Sequence, residues 1–137
     1  MRDNDTVLAV NAAFYAAFSA GRLEELVGLW ADDDDISCIH PGWPAIVGRS
    51  AVIGSWRDIL LSPERPHIIC KKPYAIVAGD HGRVLCVELI GTMALAASNH
   101  FRRIGDTWRL VHHQSSAISQ IVSQAPGDMT PPSGRVH

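Results

Sequence analysis

Seven residues, Cys38-Ile39-His40-Pro41-Gly42-Trp43-Pro44, gather an imidazole, two prolines, a glycine and an indole into one short stretch. A polar run, Val111-His112-His113-Gln114-Ser115-Ser116, lies near the other end of the chain. Imidazoles titrate near neutrality and act as base, acid or hydrogen-bond donor, so His40 is the first candidate for proton transfer. Pro41 and Pro44 stiffen the backbone beside it, and Trp43 offers a ligand an apolar platform. The bland alternative is a histidine that ends a strand by bonding a backbone carbonyl. In the second run, strand alternation lets only one of His112 and His113 face an interior. His112 and Gln114 share a face with Trp108 and Leu110, which read as interior, and His113 then faces the opposite side. A β-bulge between the histidines would undo this parity argument.

Glu88 interrupts the apolar segment Val84-Leu85-Cys86-Val87-Glu88-Leu89-Ile90. Burying a carboxylate unpaired costs several kcal/mol, so it must be paired, protonated or in water. Facing inward it can pair with His112 and make that imidazole a usable base. Facing outward it pairs with Arg102 or Lys72 across a sheet. Asn99 can supply a neutral donor to a developing oxyanion. The catalytic candidates are therefore His40, His112 and Glu88. The ligand-binding candidates are Trp43, Tyr15, Trp56, Asn99, Gln114 and His113, although Tyr15 and Trp56 lie on apolar helix faces where core packing is the commoner use. His40, His112 and Glu88 could in principle hold a zinc ion, but no helical HxxxH or HxxE pair supports a metal. No metal and no cofactor is expected. Cys38, Cys70 and Cys86 form no CxxC spacing and read as reduced, mostly buried thiols.

Several elements must position these groups. Val7, Leu8, Val10, Ala13, Phe14, Ala17 and Phe18 recur at helical spacing and predict a helix over residues 5–20, with Asp3, Asn4 or Asp5 as N-cap and Gly21 as its stop. A second helix is expected over 22–30. The run Asp32 to Asp35 reads as a solvated turn, and 36–39 as a short strand. A third helix follows over 48–61, with Ser50 as N-cap and Ser62-Pro63 as its end. Strands are then expected over 67–78, 83–95, 97–104 and 107–118, with turns at 79–82, near Ala96-Ala97, and at Gly105-Asp106. Turns this short make an antiparallel meander, and helices followed by such a sheet make an α+β fold.

The 137 residues are 47% hydrophobic and 19% charged, which suits one globular core and not a disordered chain. A net charge of −2, with 12 scattered Lys and Arg, argues against nucleic acid as a partner. Neither a secretory signal nor a bilayer-spanning run is visible, so a cytoplasmic protein with no membrane association is expected. Residues 1–122 are read as a single domain, and 123–137 as a flexible or partner-contacting tail.

In order and spacing, several stretches resemble the SnoaL-like branch of the NTF2-like superfamily. They are Asn11 to Phe18, Leu29-Trp30-Ala31-Asp32-Asp33, Cys38 to Trp43, Gly48-Arg49, Ser55-Trp56, Ser98 to Phe101, and Trp108 to Ser115. The resemblance implies a cone-shaped α+β barrel, with three N-terminal helices packed on a strongly curved antiparallel sheet around a pocket. It also implies a homodimer through the outer face of the sheet. Ketosteroid isomerases of this fold carry a tyrosine seven residues before the glycine that ends the first helix; here that position is Phe14, with Tyr15 beside it. Their Asp-Pro becomes His40-Pro41 or falls at Cys38. Two functions stay open. One is a cofactor-free acid/base isomerase, dehydratase or cyclase acting on an apolar carbonyl-containing substrate. The other is a non-catalytic ligand-binding or assembly domain.

Overall fold

The helical periodicity of the first half is realised in α1 (Asp3–Ala20), α2 (Leu23–Leu29) and α3 (Arg49–Leu61) in the computed structural model, which describes residues 2–119. The expected tail at 123–137 lies outside the described residues. Helix α1 starts at Asp3, two residues before the expected start and four before Val7, the first residue of its apolar stripe. Its N-cap is Arg2, without a side-chain cap, so Asp3 and Asp5 fall in the first turn, where negative charge complements the helix dipole. Gly21 ends the helix in the left-handed region at φ 71°.

Ser50 does not cap α3. Gly48, at φ 95°, precedes the helix, and its first amide, Arg49 N–H, donates to Asp34 Oδ1 at 3.2 Å. The aspartate run is exposed, yet it carries partners from two distant elements: Asp32 pairs with Arg49 at 3.4 Å and Asp33 with Arg102 at 2.6 Å. Exposed pairs of this kind contribute roughly 0–1 kcal/mol each, so they orient the turn more than they stabilise it.

Among the described residues six strands form one sheet: β1 (Ser37–Ile39), β2 (Ile46–Val47), β3 (Ile69–Ala78), β4 (His81–Ile90), β5 (Met93–Ile104) and β6 (Thr107–Ala117). Their order is β2-β1-β6-β5-β4-β3. The antiparallel meander β3 to β6 is present as expected, whereas β1 runs parallel to β6. The turn expected near Ala96-Ala97 lies instead at Gly91-Thr92, with Gly91 at φ 61°. Glycine takes that backbone conformation without a steric cost, while the two alanines sit mid-strand opposite Val87 and Cys86.

The β5–β6 register contains a bulge that decides which side chains enter the core. His100 pairs with His112, but Phe101 pairs with Leu110, leaving Val111 as an extra residue. Alternation is therefore interrupted, and Trp108, Leu110, His113 and Ser115 are all buried. The expectation that His112 and Gln114 point inward is corrected: they occupy the outer face, and His113 takes the inner position. Around this inner face the helices and the loop after α2 contribute Phe14, Phe18, Leu26, Trp30, Val52 and Trp56 to a core shared with Val84, Phe101, Trp108 and Leu110. The result is an α+β cone, helices on the concave face of a mixed sheet. Among the described residues no helix is long and apolar enough to cross a membrane.

Candidate active site

Three strands and one helix bring a chain of polar groups into the apolar core. Asn99 and His113 are direct partners across β5 and β6, and Glu88 and Cys86 lie two residues apart on the inner face of β4. Asn11 and Tyr15 project from α1 one turn apart, the spacing that stacks two side chains on a single helix face. Tyr15 donates its hydroxyl proton to Glu88 Oε2 at 2.7 Å and accepts from Asn99 Nδ2 at 3.0 Å. Asn99 Nδ2 also donates to Asn11 Oδ1 at 2.9 Å.

This arrangement sets the tautomer of His113. Asn99 uses its amide nitrogen on Asn11 and Tyr15, so its oxygen is the acceptor that faces His113 Nδ1 at 2.6 Å. His113 Nδ1 must therefore carry the proton, which leaves a lone pair on Nε2. That Nε2 lies 3.9 Å from Glu88 Oε2, too far for a direct bond, with both side chains buried. The Ser115 hydroxyl, also buried, makes no hydrogen bond among the described residues and bears on Glu88 only as a nearby dipole.

Burial pushes the Glu88 carboxyl above its ordinary range, opposed in part by the Tyr15 hydrogen bond. Burial also holds His113 down to about 3. The Tyr15 phenol is raised by burial, with Glu88 adding to the effect. A carboxyl pushed up and an imidazole pushed down, in contact with one cavity, form the pattern by which proteins separate acid and base roles. The cavity measures about 140 Å³ and opens between Phe18, Pro41, Trp56, Ile59 and Pro66; Glu88, His113 and Ser115 are among its lining residues, but its exposed wall is almost wholly apolar.

The SnoaL-like domain profile matches residues 7–120. The chain belongs to the SnoaL-like family. Two solved structures share about a third of the sequence of this SnoaL-like chain. One, from Thiobacillus denitrificans, is described as a calcium/calmodulin-dependent protein kinase type II association domain; it is 34% identical over 82% of this chain and 95% of its own, with a TM-score of 0.76. The other, from Streptomyces avermitilis, is described as a dehydratase of the NTF2-like family; it is 32% identical over 85% of this chain and 96% of its own, with a TM-score of 0.77. An NTF2-like protein from Pseudomonas putida, 18% identical with a TM-score of 0.68 over 93% of this chain and 96% of its own, shows the same fold. No curated protein matches the chain.

Within this SnoaL-like cone the sequence-derived candidates separate into three groups. Glu88, Tyr15, Asn99 and His113 converge on one network, and Trp56 walls the cavity. His40 is buried beside that network. It stacks edge-on against Trp56 and Trp43, at centroid distances of 4.6 and 5.1 Å, and bonds Ser55 Oγ at 2.9 Å. Ser55 gives its single proton to Val52 O, so His40 Nε2 is the donor, and burial lowers its pKa to about 4. His40 thus supports the wall behind Trp56 and does not line the cavity. Trp43 is 49% exposed. His112 and Gln114 form the third group, bonded to each other at 3.2 Å on the outer face, with His112 also held by Ser37 at 2.7 Å. The expected trio of His40, His112 and Glu88 is not brought together. Residues that sequence reasoning missed are Asn11 and Ser115; the signal for Asn11 was an amide within the apolar stripe of α1.

The shifted groups predict how stability responds to acid. His40 and His113 are neutral in the fold and bind protons near pH 6.5 once unfolded. Each therefore contributes stability that is complete above that pH and is lost as pH falls toward about 4 and about 3. Glu88 acts oppositely, because its raised value favours the fold below its unfolded pKa and this advantage is lost as pH rises. Two imidazoles outweigh one carboxyl between roughly pH 6 and 4.5, so the unfolded chain binds more protons there. The midpoint of urea unfolding is expected to be lower at pH 5 than at pH 7; a flat or rising midpoint would contradict this account.

Proposed function

We propose that this protein is a cofactor-independent acid/base enzyme of isomerase, dehydratase or cyclase type. It acts at a carbon next to a carbonyl in an apolar substrate held in the cone. One observation carries the reading: Glu88 and His113 lie 3.9 Å apart, both buried, among the residues that line an apolar cavity. Glu88 as carboxylate removes a proton from the activated carbon and returns it to a second carbon or to a leaving hydroxyl. Burial makes the carboxylate a stronger base than it is in water, and the Tyr15 hydroxyl offsets part of the cost of its charged form. His113 Nε2, its lone pair oriented by the bond from Nδ1 to Asn99, is the acid/base partner. The similar Streptomyces avermitilis chain, described as a dehydratase, supports this class of reaction.

Hydrogen exchange tests the reading directly. Cyclohexanone in D₂O is expected to gain deuterium beside its carbonyl at a rate that rises with protein and saturates with ketone, followed by NMR. Saturable binding without exchange would instead identify a non-catalytic ligand-binding domain. That second reading, extended to assembly, draws on the likeness to the Thiobacillus denitrificans chain described as an association domain.

A homodimer through the outer sheet face accompanies either reading. Leu85 is 38% exposed there, in a ladder with Ser98 and Gln114. Sedimentation is expected to give a dimer, and Leu85→Glu a monomer that keeps its fold; a monomeric parent protein would remove the proposal. A cytoplasmic setting fits the three free cysteines.

A further inference from the structure

We infer that Cys70 and Cys86 are a redox pair, in which a peroxide oxidises Cys70 and Cys86 then closes a disulfide with it. The inference stands apart from the enzymatic reading above. Helix α1 holds both sulfurs through two side chains one turn apart. Asn11 Nδ2 donates to Cys70 Sγ at 3.7 Å, and Tyr15 Oη lies 3.4 Å from Cys86 Sγ. The two thiols are also hydrogen-bonded to each other, Cys86 donating to Cys70.

Exposure and acidity assign the roles. Cys70 is half-buried on β3, at the edge of the sheet, whereas Cys86 is buried one strand further in. The hydrogen bond from Cys86 lowers the Cys70 pKa against the opposing effect of burial, and Asn11 adds to the lowering. The same bond, together with burial, raises Cys86. A reachable thiol that favours its thiolate, with a second thiol beside it, is the arrangement that peroxides oxidise reversibly. Cys38 has neither property: it is fully buried, and burial pushes its thiol up to about 12.

The Cys70 thiolate attacks one peroxide oxygen, the O–O bond breaks, and Cys70 becomes a sulfenic acid as water leaves. With the charge gone from Cys70, the main cause that holds the Cys86 proton is removed. The Cys86 sulfur attacks Cys70, the S–O bond breaks, and the hydroxyl departs with the Cys86 proton as a second water. Two thiols lose two electrons, and hydrogen peroxide gains them. The backbone must follow. Cys70 is paired with Glu88, so Cys86 is its diagonal neighbour, and such positions on regular strands stand farther apart than the roughly 4 Å between the Cβ atoms of a disulfide. Here the register breaks between Lys71 and Tyr74, opposite Cys86, and among the described residues β3 has no strand on its other side, so it can give.

The reduced full chain is to be treated with a small excess of hydrogen peroxide at neutral pH, unfolded, alkylated with iodoacetamide, digested and mapped by mass spectrometry. Without peroxide, Cys38, Cys70 and Cys86 are all expected to be alkylated; with it, only Cys38, while Cys70 and Cys86 are joined within one chain. Dithiothreitol is expected to restore both thiols. Cys86→Ser is expected to stop at a Cys70 sulfenic acid that dimedone captures, and Cys70→Ser to leave Cys86 alkylated at the same dose. The map of the parent protein decides the pairing even if a variant fails to fold. A bond to Cys38 or between chains would overturn the inference, as would Cys70 and Cys86 that stay fully alkylated. Cys86 oxidised equally in Cys70→Ser would overturn the assigned roles.

Discussion

Glu88→Gln is expected to slow deuterium exchange into cyclohexanone by roughly 10²–10⁴-fold, the usual contribution of a positioned general base. The substitution keeps the shape of the side chain and leaves an oxygen to accept the Tyr15 hydroxyl, which now lies 2.7 Å from Glu88 Oε2. It removes the atom that takes the proton. Because Glu88 carries a buried charge cost in the parent, the amide is expected to leave the thermal midpoint unchanged or to raise it. Activity and stability should therefore move in different directions, which separates a catalytic role from a structural one. An exchange rate within threefold of the parent would assign the chemistry to another group, with His113 the next to test.

Deletion of Val111 is expected to have the largest effect on folding. The residue is the surplus one in the β5–β6 register, and its presence lets Leu110 and His113 both face the core. Without it, one half of β6 must turn over. Either Trp108 and Leu110 leave the core, or His112 and Gln114 enter it and break their bonds to Ser37 and to each other. Truncation of a buried large side chain alone costs about 2–5 kcal/mol, and this change displaces at least two. For a domain of this size the thermal midpoint should fall by more than about 10 °C, or the cooperative transition should vanish. Val111→Ala, which keeps the extra residue and trims only a half-buried side chain, should fall by a few degrees at most. Equal losses in the two proteins would mean that the side chain of Val111, and not its place in the register, is what matters.

The same bulge explains why the fold was more legible in the sequence than the site was. The meander announces itself through strands rich in Val, Ile and Leu between glycine turns, and α1 through its stripe and Gly21. These are local signals, and the structure contains what they imply. A bulge has no such signature when the surplus residue is valine, which also suits a regular strand, so the facing of everything beyond residue 111 could not be inferred from alternation. Asn11 was visible as an amide on an apolar face, but its meaning depends on Asn99, 88 residues away. The cap of α3 was misplaced for a similar reason, since Asp34 reaches it from a preceding loop while Ser50 is nearer in the chain. Distinguishing Gly91 from Ala96 required only attention to positive φ, and there the local signal was available.

The parallel pairing of β1 with β6 also bears on how the chain is made. Residues 37–39 find their partners only at 112–114, so the first strand emerges from the ribosome long before the edge it must join. Until then β1 and its short neighbour β2 have no established place in the sheet. Closing so distant a contact is slow compared with helix or hairpin formation, and the meander can assemble on α1 in the meantime. Closure of the cone is thus expected to be a late event in synthesis, and the His40 loop and Trp43 acquire their positions with it.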